Sequence, residues 1–225
     1  MALLVLLGEL ATSQRSINAV QRVEPGLKHV LSQKSLVYGA PVYLRIFKAE
    51  RRLEIWLQKD DGRFAFVASH EICSMSGVLG PKEKEGDLQA PEGFYEFEPG
   101  AMNPWSSYHL SFNIGYPNRL DRSLKRTGGL IMVHGHCVSI GCFAMRDGPI
   151  EEIYALVQAA FLAGQKSVRI DIFPFVPVPD QVTRFRDHKW FHFWEDLWVG
   201  YRYFENQRKV PPFTIAGGRY LVAPL

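Results

Sequence analysis

The chain has 225 residues, a net charge of +3, 47% hydrophobic and 22% charged residues, and a pI near 8.7. That length suits one large domain, or one domain with an appendage, of ordinary globular composition. No Lys/Arg cluster interleaved with aromatics forms a phosphate-tracking groove, which argues against nucleic acid, although a mildly basic surface also suits an acidic polymer such as a cell-wall glycan.

The opening run Met1-Ala-Leu-Leu-Val-Leu-Leu-Gly-Glu9 is too short to span a bilayer. It reads as an amphipathic first helix, or as the remnant of a trimmed signal peptide; the helix is preferred. No other stretch approaches the roughly 18 apolar residues of a membrane helix. Residues 4–34 carry a helical pattern with an expected break at Glu24-Pro25-Gly26. Strand alternation follows in Val42–Phe47, Leu53–Leu57 and Phe64–Val67, with Asp60-Asp61-Gly62 as a hairpin turn. Residues 80–93 form a Gly-, Pro- and charge-rich loop before a strand at Phe94–Phe97. Short strands are expected at Tyr108–Phe112 and at Leu130–His134, with turns at 115–118 and 126–129. Ile150–Gly164 is a helix capped by Gly164, Val168–Phe173 a strand, 178–208 helical, and 211–222 a hairpin. The aromatic stripe Trp190, Phe193, Trp194, Trp198 and Tyr201 reads as packing against a sheet. The expected class is α+β, mainly β with helical flanks, divided as 1–38, 39–176 and 177–225.

The chemistry-bearing stretch is His134-Gly-His-Cys-Val-Ser-Ile-Gly-Cys142. It sets a histidine at a strand end and a cysteine behind a Ser-x-Gly turn. A thiol is a weak nucleophile until a base removes its proton, and a nearby imidazole does that. Gly141 permits a tight bend that aims amide N–H groups at a developing oxyanion. The competing reading is a buried cysteine turn with a satisfied histidine. Cys73, Cys137 and Cys142 are an odd set. In an oxidising compartment the economical pairing is Cys73 with Cys137, leaving Cys142 free. Three free thiols is the other reading. His134, His136, Cys137 and Cys142 cluster in sequence but match no usual zinc spacing, so no metal and no cofactor is expected.

Several separate blocks resemble the L,D-transpeptidase catalytic domain (YkuD-type), in its YafK murein branch. They are His134-Gly135 with Ser139-Ile-Gly-Cys142, Pro91-Glu-Gly-Phe94, Ser76-Gly-Val-Leu-Gly-Pro-Lys82, Glu85–Tyr95 and Phe112-Asn-Ile-Gly-Tyr-Pro-Asn118, so the likeness runs over 42–175. The resemblance implies a β-sandwich or barrel catalytic domain in an exported, periplasmic bacterial protein whose thiol carbapenems acylate. It implies that Cys142 attacks the carbonyl after the L-centre of meso-diaminopimelate in a peptidoglycan stem peptide, with His134 as base and the Gly141 and Cys142 amides as oxyanion donors. Ser139 holds the turn or hydrogen-bonds near the nucleophile. Asp87, Gln89 and Glu92 on the polar loop are candidates to touch substrate, and Asn113, Tyr116, Asn118 and Gly135 to line the cleft. His109 is expected to be structural and His136 a bystander.

Two positions depart from the family pattern. Ile140 stands where most members have His, and Ala144 where many have Arg; Arg146 nearby is not given that role. Three functions stay open. They are a transpeptidase, a hydrolase that passes the same thioester to water, and a non-catalytic wall-binding module, against which the His134/Cys142 pair argues.

Overall fold

A computed structural model describes residues 10–223 of the chain. The helix expected over the first residues lies outside them up to residue 9. The elements in order are α1 (Gln14–Gln33), β1 (Val42–Phe47), β2 (Arg52–Gln58), β3 (Phe64–Glu71), β4 (Gly93–Phe97), β5 (Met102–Asn103), β6 (Ser111–Asn113), α2 (Arg119–Ser123), β7 (Met132–His134), β8 (Phe143–Ala144), α3 (Asp147–Leu162), β9 (Val168–Phe173), α4 (Pro179–Arg184), α5 (Phe191–Gln207), β10 (Phe213–Ala216) and β11 (Arg219–Val222). The fold is mixed α+β, as expected.

Five strands form one sheet in the order β3-β2-β1-β9-β4, and four form a second, β5-β6-β7-β8. In the first, β1 and β9 run parallel and every other pair antiparallel. All six residues of β1 are buried, so this sheet is covered on both faces. The period-two alternation of a strand separates its side chains. Val42, Leu44 and Ile46 enter the large core shared with α1, α3 and the second sheet. Tyr43 and Phe47 face the other way, into aromatic clusters containing Phe204 and Trp198 of α5. Arg45, between them, is buried and bonded to Glu54 at 2.7 Å and to Glu205 of α5 at 2.7 Å. Burying Trp194, Leu197, Trp198 and Phe204 contributes about 1.5–3 kcal/mol for each such side chain, so α5 is tightly joined to the sheet.

Four expectations are corrected. α1 runs through Pro25 without a break; Pro25 faces solvent, and burial of Ala19, Leu27 and Leu31 against the core offsets the lost hydrogen bond. The strand at 108–112 starts only at Ser111, because His109 has a left-handed φ of 65°. Leu130 likewise has φ 53° and is 77% exposed, so β7 starts at Met132. The helix at 178–208 is two helices, because Phe185 turns onto Phe175 and His188 stacks on Trp194 at 4.5 Å.

Candidate active site

β7 and β8 bring the thiol and the imidazole to one place. They pair in parallel with Val133 opposite Phe143 and His134 opposite Ala144. Cys142 lies one residue before β8, and the Met132 amide donates to its Sγ at 3.4 Å. Met132 and His134 share one face of β7 by the period-two alternation of a strand, and the Met132 bond brings Cys142 next to that strand, two residues before His134. No hydrogen bond joins the two side chains, and such catalytic bonds commonly close only when substrate binds.

His134 is 3% exposed. Its Nδ1 lies 2.6 Å from the Gly135 carbonyl. A carbonyl only accepts, so Nδ1 carries the proton and Nε2 keeps its lone pair. Burial pushes the imidazole below its ordinary 6.5, the Gly135 carbonyl partly opposes this, and His136 adds to it. The Tyr108 ring sits 4.8 Å from the imidazole and covers it. Gly135, a candidate substrate contact, is closely packed. A Cβ there would lie 2.8 Å from Asp147 Oδ1, 2.9 Å from His109 Cβ and 3.0 Å from the Tyr108 carbonyl. His109 bonds Glu151 at 2.8 Å, and the His136 amide donates to Asp147 Oδ1.

Cys142 is free and half-buried. Burial raises its thiol above the ordinary 9.0, while the Met132 amide and the Lys82 charge pull it back in part. The lowered imidazole and the raised thiol both favour a neutral resting pair over a thiolate–imidazolium ion pair. The active form therefore gains competence as His134 loses its proton and leaves the neutral pair as Cys142 ionises. The pH profile of kcat/KM is expected to rise through an acidic limb below 6.5 and fall through an alkaline limb above 9.0. A rise in place of the fall above 9.0 in steady-state kinetics would show that a thiolate must form first.

The nucleophile turn is held from both ends by residues 73–76. Cys73 is bridged to Cys137 by a disulfide with Cα atoms 5.5 Å apart. The Cys73 amide donates to the Ala144 carbonyl at 3.0 Å. Ser76 Oγ accepts the Gly141 amide at 2.6 Å and donates to the Leu88 carbonyl at 2.7 Å. The Gly141 amide, expected at the oxyanion, is thus already engaged, whereas no hydrogen bond among the described residues engages the Cys142 amide. Gly141 adopts φ 93°, the left-handed backbone that needs glycine. Ser139 Oγ donates to the Cys142 carbonyl at 2.7 Å and so ties the turn. Ser76 lies in a block recognised from sequence, but only the fold reveals its bond to Gly141. The disulfide closes a span of 64 residues, which constrains the unfolded chain by up to about 4 kcal/mol. Replacing Cys73 and Cys137 together by alanine is expected to lower stability by about 2–4 kcal/mol in urea titrations.

A small cavity of about 160 Å³ opens beside the thiol, lined by Cys142, Ile140, Leu130, Leu88, Lys82 and Glu85 among others. It has room for an amino-acid-sized head, not a sugar ring with its neighbours. Lys82 and Glu85 are its charged groups, and neither stands out singly in the sequence. The expected substrate contacts are otherwise occupied. Asp87 takes the Lys82 ammonium and the amides of Glu83, Lys84 and Gln89. Those bonds draw its carboxyl below the usual range despite its burial. Gln89 accepts from the Val78 amide and donates to Val78 and Gly80 carbonyls. Asn113 accepts the Gly115 amide. The buried Tyr116 hydroxyl donates to the Thr127 carbonyl at 3.1 Å. Asn118 caps α2 and donates to Phe94 O and Tyr220 Oη. None of these five side chains lines the cavity beside the thiol; their bonds brace the loops around it. Among the described residues no trio of His, Cys, Asp or Glu converges as a metal site, and no helix is long and apolar enough to cross a membrane.

A parallel strand pair carrying a half-buried free thiol and a base-ready imidazole, set in an α+β fold, is an arrangement suited to cysteine acyl transfer. The chain belongs to the L,D-transpeptidase catalytic domain family (YkuD), whose model matches residues 41–182. It is 41% identical over 190 residues to YafK of Escherichia coli strain K12, a protein named as a candidate L,D-transpeptidase, covering 84% of this chain and 77% of that one. The O157:H7 form of YafK gives the same figures. Among solved structures, the helical cell shape determining protein Pgp2 of Campylobacter jejuni is similar at TM-score 0.45 and 23% identity, over 80% of this chain and 64% of that one. Bd1075 of Bdellovibrio bacteriovorus is similar at TM-score 0.42 and 19% identity, over 72% and 59%. The chain spans less than two thirds of each of these two structures, and the likeness to them concerns the fold alone.

Proposed function

We propose that this protein is a peptidoglycan L,D-transpeptidase working through a thioester on Cys142. The observation that carries this reading is the free Cys142 at the entry to β8, bonded through Sγ to Met132 of the parallel strand β7 that ends in His134, within a chain of this family. On binding, His134 Nε2 takes the thiol proton as Sγ attacks the carbonyl after the L-centre of meso-diaminopimelate. The Cys142 amide donates to the oxyanion. The tetrahedral adduct collapses, the C–N bond breaks, and the imidazolium gives its proton to the departing D-amino acid. An amine from a second stem then attacks the thioester, loses a proton to His134 and restores the thiol. Stem peptides are the partners on this reading, and the periplasm is the compartment. The Cys73–Cys137 bridge suits an oxidising location. The catalytic unit is residues 39–176, with 1–38 and 177–225 supporting it.

The test is incubation with purified disaccharide-tetrapeptide, followed by mass spectrometry. Dimers formed with loss of D-Ala are the expected result. Shortened monomers without dimers would assign the thioester to water and make the enzyme a hydrolase. Unchanged substrate would refute both.

A further inference from the structure

The family match ends at residue 182, yet α5, with Trp190 at its N-cap, contacts Gly80, Glu92 and Arg126, which flank the walls of the cavity beside Cys142. We infer that α5 is part of the substrate-binding apparatus, with Trp190 and Trp194 as positioning residues that clamp both walls of that cavity. This deepens the transpeptidase reading and rests on it for the identity of the donor.

One wall is the loop 78–92, which supplies Lys82, Glu85 and Leu88. Its root is a buried ion pair, Lys48 Nζ to Glu92 Oε1 at 3.0 Å. Glu92 Oε1 also accepts the Gly80 amide at 2.7 Å, and Oε2 accepts the Trp194 indole N–H at 2.6 Å. A single carboxylate therefore joins the start of the loop, the end of the loop and α5. Trp190 adds a direct contact. A Cβ on Gly80 would lie 2.6 Å from its Nε1 and 2.7 Å from its Cδ1, so the ring lies flush against the Gly80 backbone. Leu79 packs into the same aromatic cluster.

The other wall, residues 128–131, is held from the same side. Arg126 lies with its guanidinium 5.8 Å from the Trp190 ring and 5.3 Å from the Phe193 ring. It also bonds Asp121 at 2.8 Å. Backbone and side-chain bonds then join the walls: Thr127 N to Glu83 O at 3.1 Å, and Glu85 N to Thr127 Oγ1 at 3.1 Å. Gly128 fits between them, since a Cβ there would meet Glu85 Cα at 3.2 Å and Lys82 Cε at 3.3 Å. His134 lies on β7 and Cys142 in the turn before β8, which α5 does not hold by any of these bonds. The clamp thus governs the shape of the cavity and leaves the thiol–imidazole pair to the strands.

Hydrogen exchange and kinetics on the full chain test this. In Trp190→Ala, amides of residues 79–90 and 126–131 are expected to exchange about tenfold faster, while residues 132–145 keep their protection. Donor KM is expected to rise about tenfold with kcat within about threefold, and alkylation of Cys142 by iodoacetamide to stay within about twofold, since the thiol itself is untouched. Trp190→Phe restores most of both losses. Trp194→Phe, which keeps a ring and removes one N–H, is expected to speed exchange around Gly80 and Glu92 and serves if Trp190→Ala folds poorly. Wild-type exchange at both walls in both variants would overturn the clamp. So would a fall in kcat with KM unchanged. If the wild-type protein turns over no muropeptide, the functional reading fails, while the exchange result still decides the clamp.

Discussion

Replacing Cys142 by alanine is expected to abolish turnover of disaccharide-tetrapeptide and labelling by carbapenems, with the fold intact. The loss should exceed about 10⁴-fold, because every covalent step passes through this thiol and no neighbouring group replaces it. Alanine keeps the Cβ and so leaves the turn's own supports in place, namely Ser139 to the Cys142 carbonyl and Ser76 to the Gly141 amide. Lost directly are the Met132 N–H contact to Sγ and the weak donation to Leu130. Thermal unfolding should therefore shift by only a few degrees. Intact-protein mass spectrometry after carbapenem exposure gives the second readout: the wild type gains one adduct and the variant none. An adduct on the variant would place the nucleophile elsewhere. His134→Ala is expected to be milder, with a loss of about 10²–10⁴-fold, the usual reach of a general base.

The parts of this site that were legible from sequence are those fixed by local rules. A hydrophobic run ending in His134, and a Ser-x-Gly turn before Cys142, specify a strand end and a tight bend; the observed φ of Gly141 and the Ser139 bond to the Cys142 carbonyl match that chemistry. The edges of β1 and β9 were legible for the same reason, since alternation and a following Pro174 mark them. What sequence left hidden was the destination of polar side chains. Asp87 and Gln89 look like ligand contacts in a charged loop, but nearby amides and Lys82 use their acceptors. Conversely, Lys82 and Ser76 look like loop residues and prove to face the cavity or to hold the nucleophile turn. For Ser76 and Lys82 the partners lie far along the chain, at Gly141 and at residues 128–131; for Asp87 and Gln89 they lie within the same loop, and its irregular course decides which amides they meet. Pro25 and the split at Phe185 show the same limit for helices, where packing outweighs local propensity.

The second large effect falls on stability and starts from the buried pair at the root of the cavity loop. Glu92 is fully buried and Lys48 is 2% exposed. Glu92→Leu removes the partner of Lys48 and the acceptor of the Trp194 and Gly80 N–H groups together. Lys48 would keep its bonds to the carbonyls of Val78, Gly80 and Ala90, which stabilise an ammonium without neutralising it. Breaking a buried pair from one side costs about 3–5 kcal/mol, or roughly 10 °C in Tm for a chain of this size. The pH dependence separates this cause from simple loss of packing. Burial already depresses the Lys48 ammonium below its ordinary 10.5, with Glu92 opposing the fall. Without Glu92 the folded value drops further, so the unfolded chain binds more protons than the folded one over a wider range below 10.5. Stability then rises with pH across that range, and it rises more steeply in the variant. The deficit of Glu92→Leu against wild type is therefore expected to narrow as the pH of urea titrations goes from 7 to 10. A deficit that stays constant would assign the loss to the leucine's fit and to the orphaned Trp194 and Gly80 donors, and not to the charge on Lys48.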